Sequence, residues 1–139
     1  MVKVAKLYIK RAKGSPPENA VKLALKENAG VCGDIFATGG DRQVSLLYQK
    51  TQDEIDALSH GEPCLKKFCC NILLEGEKPS DLRVGQTITI GEAALEISSV
   101  GKECHSLCGL DVCPLVGGAV FARVSRAGVI KIGDIISYD

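Results

Sequence analysis

Three cysteines and a histidine share one glycine-containing stretch, GKECHSLCGLDVCP at 101–114. Cys104, His105, Cys108 and Cys113 are spaced C-H-x2-C-x4-C. That spacing is looser than the close C-x2-C pairs of most zinc sites and unlike the runs that ligate iron–sulfur clusters. Three thiolates and an imidazole still make a tetrahedral ligand set if the segment folds back on itself. The other chemistry open to these residues is nucleophilic. A neighbouring Lys or His⁺ raises the thiolate fraction of a cysteine, and Cys104 has Lys102 and His105 beside it, with Glu103 opposing them. Cys108, four residues on, stands where a thiol can resolve a sulfenate or accept a second sulfur. Cys113 is followed by Pro114 and apolar residues and reads as a small buried hydrophobe.

A second candidate segment is GVCGDIFATGGDR at 30–42. Gly33, Gly39 and Gly40 allow the backbone to approach a ligand, and Arg42 offers a planar fork suited to phosphate. Asp34 and Asp41 are placed to orient that fork or to bond a ring nitrogen. The plainer reading, a wide turn held by an Asp–Arg pair, fits the spacing somewhat better. No Walker A or dinucleotide fingerprint is present. Lys13, in the turn KGSPP at 13–17, reads as solvated, as does His60 after the first helix. Cys69 and Cys70 are adjacent in an expected strand, so they point to opposite faces and at least one packs in the core. Cys32 and Cys64 have no distinguishing neighbours.

The elements that must hold these segments are mostly strands. Period-two alternation marks VKVAKLYI at 2–9, AVKLAL at 20–25 and VSLLY at 44–48, with Val21, Leu23 and Leu25 expected on one face. TQDEIDALS at 51–59 is the best helix, with Thr51 as N-cap and Asp53 and Glu54 in the first turn. FCCNILLEG, TITI, ALEISSV, AVFARVS and GVIKIGDIISY follow, punctuated by Gly and Asp at short intervals. VGQTITIGEAALEI and IKIGDIISY share one device: an apolar pair, Gly, a polar residue, then a strand. The pattern predicts a mainly β fold, a closed or partly open β-barrel with one or two short helices. The segments 30–42 and 101–117 resist assignment to any element, and both are expected at one end of the barrel. Loops of such length in a small domain tend to be functional.

At 139 residues with 45% apolar content the chain is expected to form one domain, 1–139. Lys plus Arg equals Asp plus Glu at 17 each, so the long-range field of a nucleic-acid or membrane-surface binder is missing. The N-terminus lacks the apolar run of a signal peptide, and no stretch reaches the ~18 apolar residues of a membrane span. A cytosolic location is expected. In a reducing compartment an odd set of seven cysteines points to metal, catalysis or packing before disulfides.

In this order, several motifs resemble the MOSC family, the domain named for the C-terminal part of molybdenum-cofactor sulfurase. They are KG at 13–14, GVCGD at 30–34, DRQVSLL at 41–47, FCCNILLEG at 68–76, LRVGQTITIGEAALEIS at 82–98, GKECH at 101–105 and VFARVSRAGVIKIGDII at 120–136. Small stand-alone bacterial members look most similar. The resemblance implies a β-barrel-like fold and a link to the molybdenum cofactor, a pterin bearing a phosphate and a dithiolene-bound metal. It places the family cysteine on Cys104, and the pocket motifs on Gly33, Asp34, Arg42, Gln43 and Asn71. Cys70 stands where the family commonly has Glu, and IFATGG replaces a His-Ala-Gly-like piece.

Three functions follow as expectations. In the first the chain is a sulfur carrier: a PLP-dependent cysteine desulfurase loads Cys104 as a persulfide, with His105 and Cys108 assisting. Lys13, Arg42 and the glycine backbone then hold the anionic pterin, and the cofactor or a molybdoenzyme accepts the sulfur. In the second, Cys104 ligates molybdenum in a reductase component. In the third, Cys104, Cys108 and Cys113 are ligands of a non-enzymatic metal-binding module. Neither nucleic acid nor membrane is an expected partner.

Overall fold

The computed structural model describes residues 2–10, 18–34, 44–58, 70–79, 82–100 and 119–138. In chain order the elements are β1 (Lys3–Ile9), β2 (Glu18–Ala20), β3 (Lys22–Lys26), β4 (Gly30–Val31), β5 (Val44–Tyr48) and α1 (Gln49–Leu58). Next come β6 (Ile72–Glu75), β7 (Thr87–Ile90), β8 (Ala93–Val100), β9 (Val120–Arg126), β10 (Gly128–Lys131) and β11 (Ile136–Tyr138). Eight strands make one sheet in the order β11-β7-β8-β9-β5-β6-β1-β2, and β10-β3-β4 make a second.

The large sheet curls through 233° without closing fully, so the barrel is of the partly open kind. Its two sides are tied by an isolated bridge between Lys3 and Ile135. Three backbone bonds reinforce it: Ile136 N–H to the Val2 carbonyl, Val4 N–H to Asp134 and Gly133 N–H to Val4, at 2.9, 2.9 and 2.8 Å. One register row crosses six strands through Val100, Val120, Leu46, Ile72, Leu7 and Ala20. Its four middle residues are each no more than 1% exposed. Burying such aliphatic side chains removes ~1.5–3 kcal/mol of unfavourable hydration apiece. Alternation in the sequence therefore faces this core, as period two demands.

Three expectations are corrected. Val21 does not share the buried face of Leu23 and Leu25: it is 76% exposed, against 4% and 3%. The chain bends at Val21 between β2 and β3, and that bend resets the alternation. α1 begins at Gln49, two residues before the expected cap, because β5 runs straight into it. Buried Tyr48 anchors the helix start; Thr51 is itself buried within the helix, and Asp53 falls in its second turn, accepting from Gln49 Nε2 at 2.9 Å. Gly30 and Val31, unassigned from sequence, form a short strand paired with β3. Cys70 is buried ahead of β6, which starts at Ile72, whereas Cys69 lies outside the described residues.

β5 and β6 are the parallel pair of the sheet, joined through α1, which packs on both. This crossover brings the start of β6 beside the start of β5. It thereby sets Asn71 next to Ser45.

Candidate functional site

The chain between Val31 and Asp34 forms a turn with Gly33 at φ +88° and the Asp34 N–H bonded to the Val31 carbonyl at 3.1 Å. That φ belongs to the third residue of a type II turn, where a side chain is strained and glycine is not. The same device recurs at Arg83–Gln86 and Lys131–Asp134, with Gly85 and Gly133 at +91° and +94° and closing bonds of 3.2 and 3.1 Å. In those two copies the fourth side chain folds back on its own turn. Gln86 Oε1 accepts the Arg83 N–H at 3.3 Å, and Asp134 Oδ2 accepts the Lys131 N–H at 2.8 Å.

Asp34 is directed differently. Its Oδ1 accepts the Lys10 backbone N–H at 2.8 Å and the Asn71 Nδ2 at 3.3 Å. At 7% exposure this carboxylate binds the end of β1 to the start of β6.

Asn71 is the node. Its Oδ1 accepts the Ser45 N–H at 3.1 Å and the Ser45 hydroxyl at 3.2 Å. Its Nδ2 donates to the Tyr8 carbonyl and to Asp34 Oδ1, both at 3.3 Å. A side-chain amide has two acceptor lone pairs and two N–H donors, and all are engaged by protein groups. The Asn71 backbone adds N–H bonds to the Ser45 carbonyl at 2.9 Å and to Ser45 Oγ at 3.1 Å, and its carbonyl accepts the Tyr8 N–H at 2.8 Å. Buried polar groups without partners cost ~1–3 kcal/mol each, so saturation at 6% exposure keeps the node in place.

Of the site residues expected from sequence, Gly33, Asp34 and Asn71 are thus gathered at one end of β5. Lys13, Arg42, Gln43, Cys104, His105 and Cys108 lie outside the described residues, as does Cys113. The described chain fixes their attachment points. Lys13 follows Lys10 by three residues, and Gln43 and Arg42 directly precede Val44. The segment bearing Cys104 leaves β8 at Val100 and rejoins β9 at Ala119–Val120. Because β9 is antiparallel to β5, with Val120 opposite Leu46, the end of β9 that this segment joins lies on the Tyr48 side of β5. Residues 35–43 instead enter at Val44. The strand ends that bound the two segments, Val44 and Val120, thus lie at opposite ends of the β5–β9 pairing. The segments themselves, which the reading from sequence has at one end of the barrel, lie outside the described residues.

Ser45 is the site residue that sequence reasoning missed. Nothing in VSLLY singles it out; only the parallel register of β5 with β6 sets it against Asn71. Cys32 is exposed and Cys70 buried, and neither forms a disulfide. Among the described residues no group of three or more His, Cys, Asp or Glu is placed to hold a metal ion. No helix among them is long and apolar enough to cross a membrane.

No family model matches the chain, and no curated protein matches it. Solved structures do. The YuaD protein from Bacillus subtilis is similar at a TM-score of 0.72 and 20% identity, over 99% of this chain and 96% of that one. YiiM from Geobacillus stearothermophilus is similar at 0.66 and 16% identity, over 100% of this chain and 75% of that one. YiiM from Escherichia coli is similar at 0.64 and 19% identity, over 100% and 70%. Likeness at such identities shows the fold alone, and that fold is a MOSC-like one.

Proposed function

We propose that this chain is a sulfur-carrier or sulfur-transfer protein linked to the molybdenum cofactor, with Cys104 as the sulfur-bearing thiol. The MOSC-like fold, generally molybdenum-cofactor-related, supports the broader part of this reading. The observation that carries it is the Asn71–Asp34 hydrogen bond. It joins two residues expected at a pocket from separate motifs, at strand ends that lead directly into Lys13 and Arg42. Fully extended chain spans at most ~3.6 Å per residue, which keeps Lys13 within ~11 Å of Lys10 and Arg42 within ~7 Å of Val44. The same bound lets Cys104, four residues past Val100, range over ~14 Å.

In this reading Lys13, Arg42 and the Gly33 backbone hold the pterin phosphate, with Gln43 beside them. Asn71, its amide consumed, acts by fixing Asp34. The transfer step is an exchange. The Cys104 thiolate attacks the outer sulfur of a donor persulfide, the donor S–S bond breaks, and the donor leaves as a thiolate. Cys104 is left as a persulfide with no net oxidation, and the cofactor or the molybdoenzyme carrying it is the acceptor. His105 favours the thiolate electrostatically, and Cys108 is the second thiol.

The test is mass spectrometry of the Cys104 peptide after incubation with a PLP-dependent cysteine desulfurase and L-cysteine. A reductant-labile adduct of ~32 mass units per sulfur is expected on Cys104. Cys104→Ser should abolish loading with little change in fold, whereas Cys113→Ser should mainly alter stability. Equal loading of the Cys104→Ser protein overturns the assignment. Co-purifying molybdenum with pterin would favour the reductase reading, and one zinc per chain the metal-binding module.

A further inference from the structure

The small sheet presents an unbalanced face. β3 alternates buried Leu23 and Leu25 with exposed Lys22, Ala24 and Lys26. On β10, exposed Lys131 stands directly opposite Lys22, and half-buried Val129 opposite Ala24. Like charges directly opposed across antiparallel strands are destabilising. Among the described residues, no carboxylate pairs with Lys22, Lys26 or Lys131. Lys22 and Lys131 thus stand as an exposed, directly opposed pair of like charges.

Beside that pair lie two exposed apolar side chains, Val21 at 76% and Ile132 at 47%. The Ile132 N–H donates to the Val21 carbonyl at 3.1 Å, so the two backbones are in contact. Exposed apolar side chains with charges beside them are the make-up of a protein-docking surface. A nucleic-acid track would need a longer run of cations and stacking aromatics, and this face has neither. At its other side the face continues through exposed Cys32, whose N–H bonds the Ala24 carbonyl at 2.9 Å, into Gly33 and Asp34. It thus abuts the candidate site.

We infer that the outer face of β10-β3-β4, centred on the Lys22–Lys131 pair with Val21 and Ile132, docks an acidic protein surface. Resting on the sulfur-carrier reading, that surface belongs to the protein sulfur donor. Docking places carboxylates opposite the two lysines, relieving their repulsion as the complex forms. The lysines act on encounter and are screened by salt.

The experiment measures binding of the full chain to a purified PLP-dependent cysteine desulfurase by interferometry at low and high salt, with melting temperature in parallel. Lys22→Glu converts the repulsive pair into an opposite-charge pair, so its melting temperature should equal or exceed that of the parent. Its affinity should nonetheless fall at least ~3-fold, and that of the Lys22→Glu/Lys131→Glu protein ~10-fold or more, mainly in association rate. High salt should erase the difference. Binding that is absent, or equal in all three proteins at low salt, overturns the proposal, as does binding only to phosphatidylserine vesicles. Loading of Cys104 from a small-molecule persulfide, measured alongside, tests the sulfur-carrier reading separately. Its failure with charge-dependent binding intact would leave the docking face standing.

Discussion

Asn71 donates its side-chain amide to Oδ1 of Asp34 at 3.3 Å, across 37 residues of sequence. The orientation of that amide is forced. Its oxygen is taken by both donors of Ser45, so its nitrogen must face Asp34 and the Tyr8 carbonyl. One side chain thereby ties β1, β5, β6 and the Gly33 turn together.

Asn71→Ala should therefore cost ~2–4 kcal/mol, since it strips partners from several buried groups at once. Ser45→Ala removes one hydroxyl, leaves the Ser45 N–H on Asn71, and should cost ~1 kcal/mol. Asn71→Asp keeps the shape but turns the donor into an acceptor facing a carbonyl and a carboxylate, so it should cost at least as much as Ala. Urea unfolding of the three proteins checks the order. Similar midpoints for Asn71→Ala and Ser45→Ala would remove Asn71 from its place as node.

Much of this frame was legible in the sequence because period two reports directly on a half-buried strand. The core rows through Leu7, Leu46, Ile72 and Val120 lie in stretches read as strands. Two of the three glycine turns were also visible, before β7 and before β11. The third, Val31–Asp34, was read from sequence only as part of a wider turn over 30–42, because its Asp34 serves the distant Lys10 and Asn71. Val21 failed for a related reason: alternation holds only while the chain is straight, and the bend beside it leaves no mark in residue type. Ser45 was invisible because its role depends on a parallel register set through α1, which composition does not encode. Cys104 was chosen by motif and local charge, and its surroundings lie outside the described residues.

Gly128 offers a steric test free of backbone strain. A Cβ there would lie 2.7 and 2.8 Å from the Glu92 carbonyl carbon and oxygen and 2.9 Å from the Ala93 nitrogen. These are main-chain atoms of the β7–β8 hairpin and cannot swing aside. Gly128→Ala should cost ~3 kcal/mol by overpacking. At Gly85 a Cβ meets nothing within 4 Å, so Gly85→Ala should cost only ~1–2 kcal/mol for the left-handed backbone. Thermal unfolding that ranks Gly85→Ala as the worse of the two would contradict this packing.

Cys32 and Cys70 should separate cleanly in a thiol-labelling time course. Cys32 is exposed, whereas Cys70 is 2% exposed beside the Asn71 node. A maleimide should modify Cys32 in the native protein and reach Cys70 only through unfolding, as peptide mapping with and without denaturant would reveal. Rapid native labelling of Cys70 would show that the start of β6 opens locally.

Tyr48 and Tyr138 share a hydroxyl–hydroxyl contact of 2.7 Å between β5 and β11, on opposite sides of the curled sheet. Burial, then the hydrogen bond and charge of Tyr138, push the Tyr48 phenol well above its ordinary value near 10. Burial raises Tyr138 as well, while the bond from Tyr48 partly offsets that rise, so Tyr138 is the first to ionise. The sign follows from linkage. Once pH passes the unfolded value near 10, the unfolded chain releases protons that the native state still holds, so stability falls as pH rises. Each retained proton contributes ~1.4 kcal/mol per pH unit to that slope. The contribution is fully present below pH ~10 and is lost on the alkaline side as the native phenols are forced to ionise. Tyr48→Phe should reduce the alkaline slope and leave the Tyr138 hydroxyl without its partner, whereas Tyr138→Phe should leave Tyr48 raised by burial alone. Denaturant midpoints from pH ~8 to ~11, with ultraviolet titration of the phenolate band, measure both effects. A Tyr48→Phe protein with the parent's alkaline slope would show that the pair does not govern it.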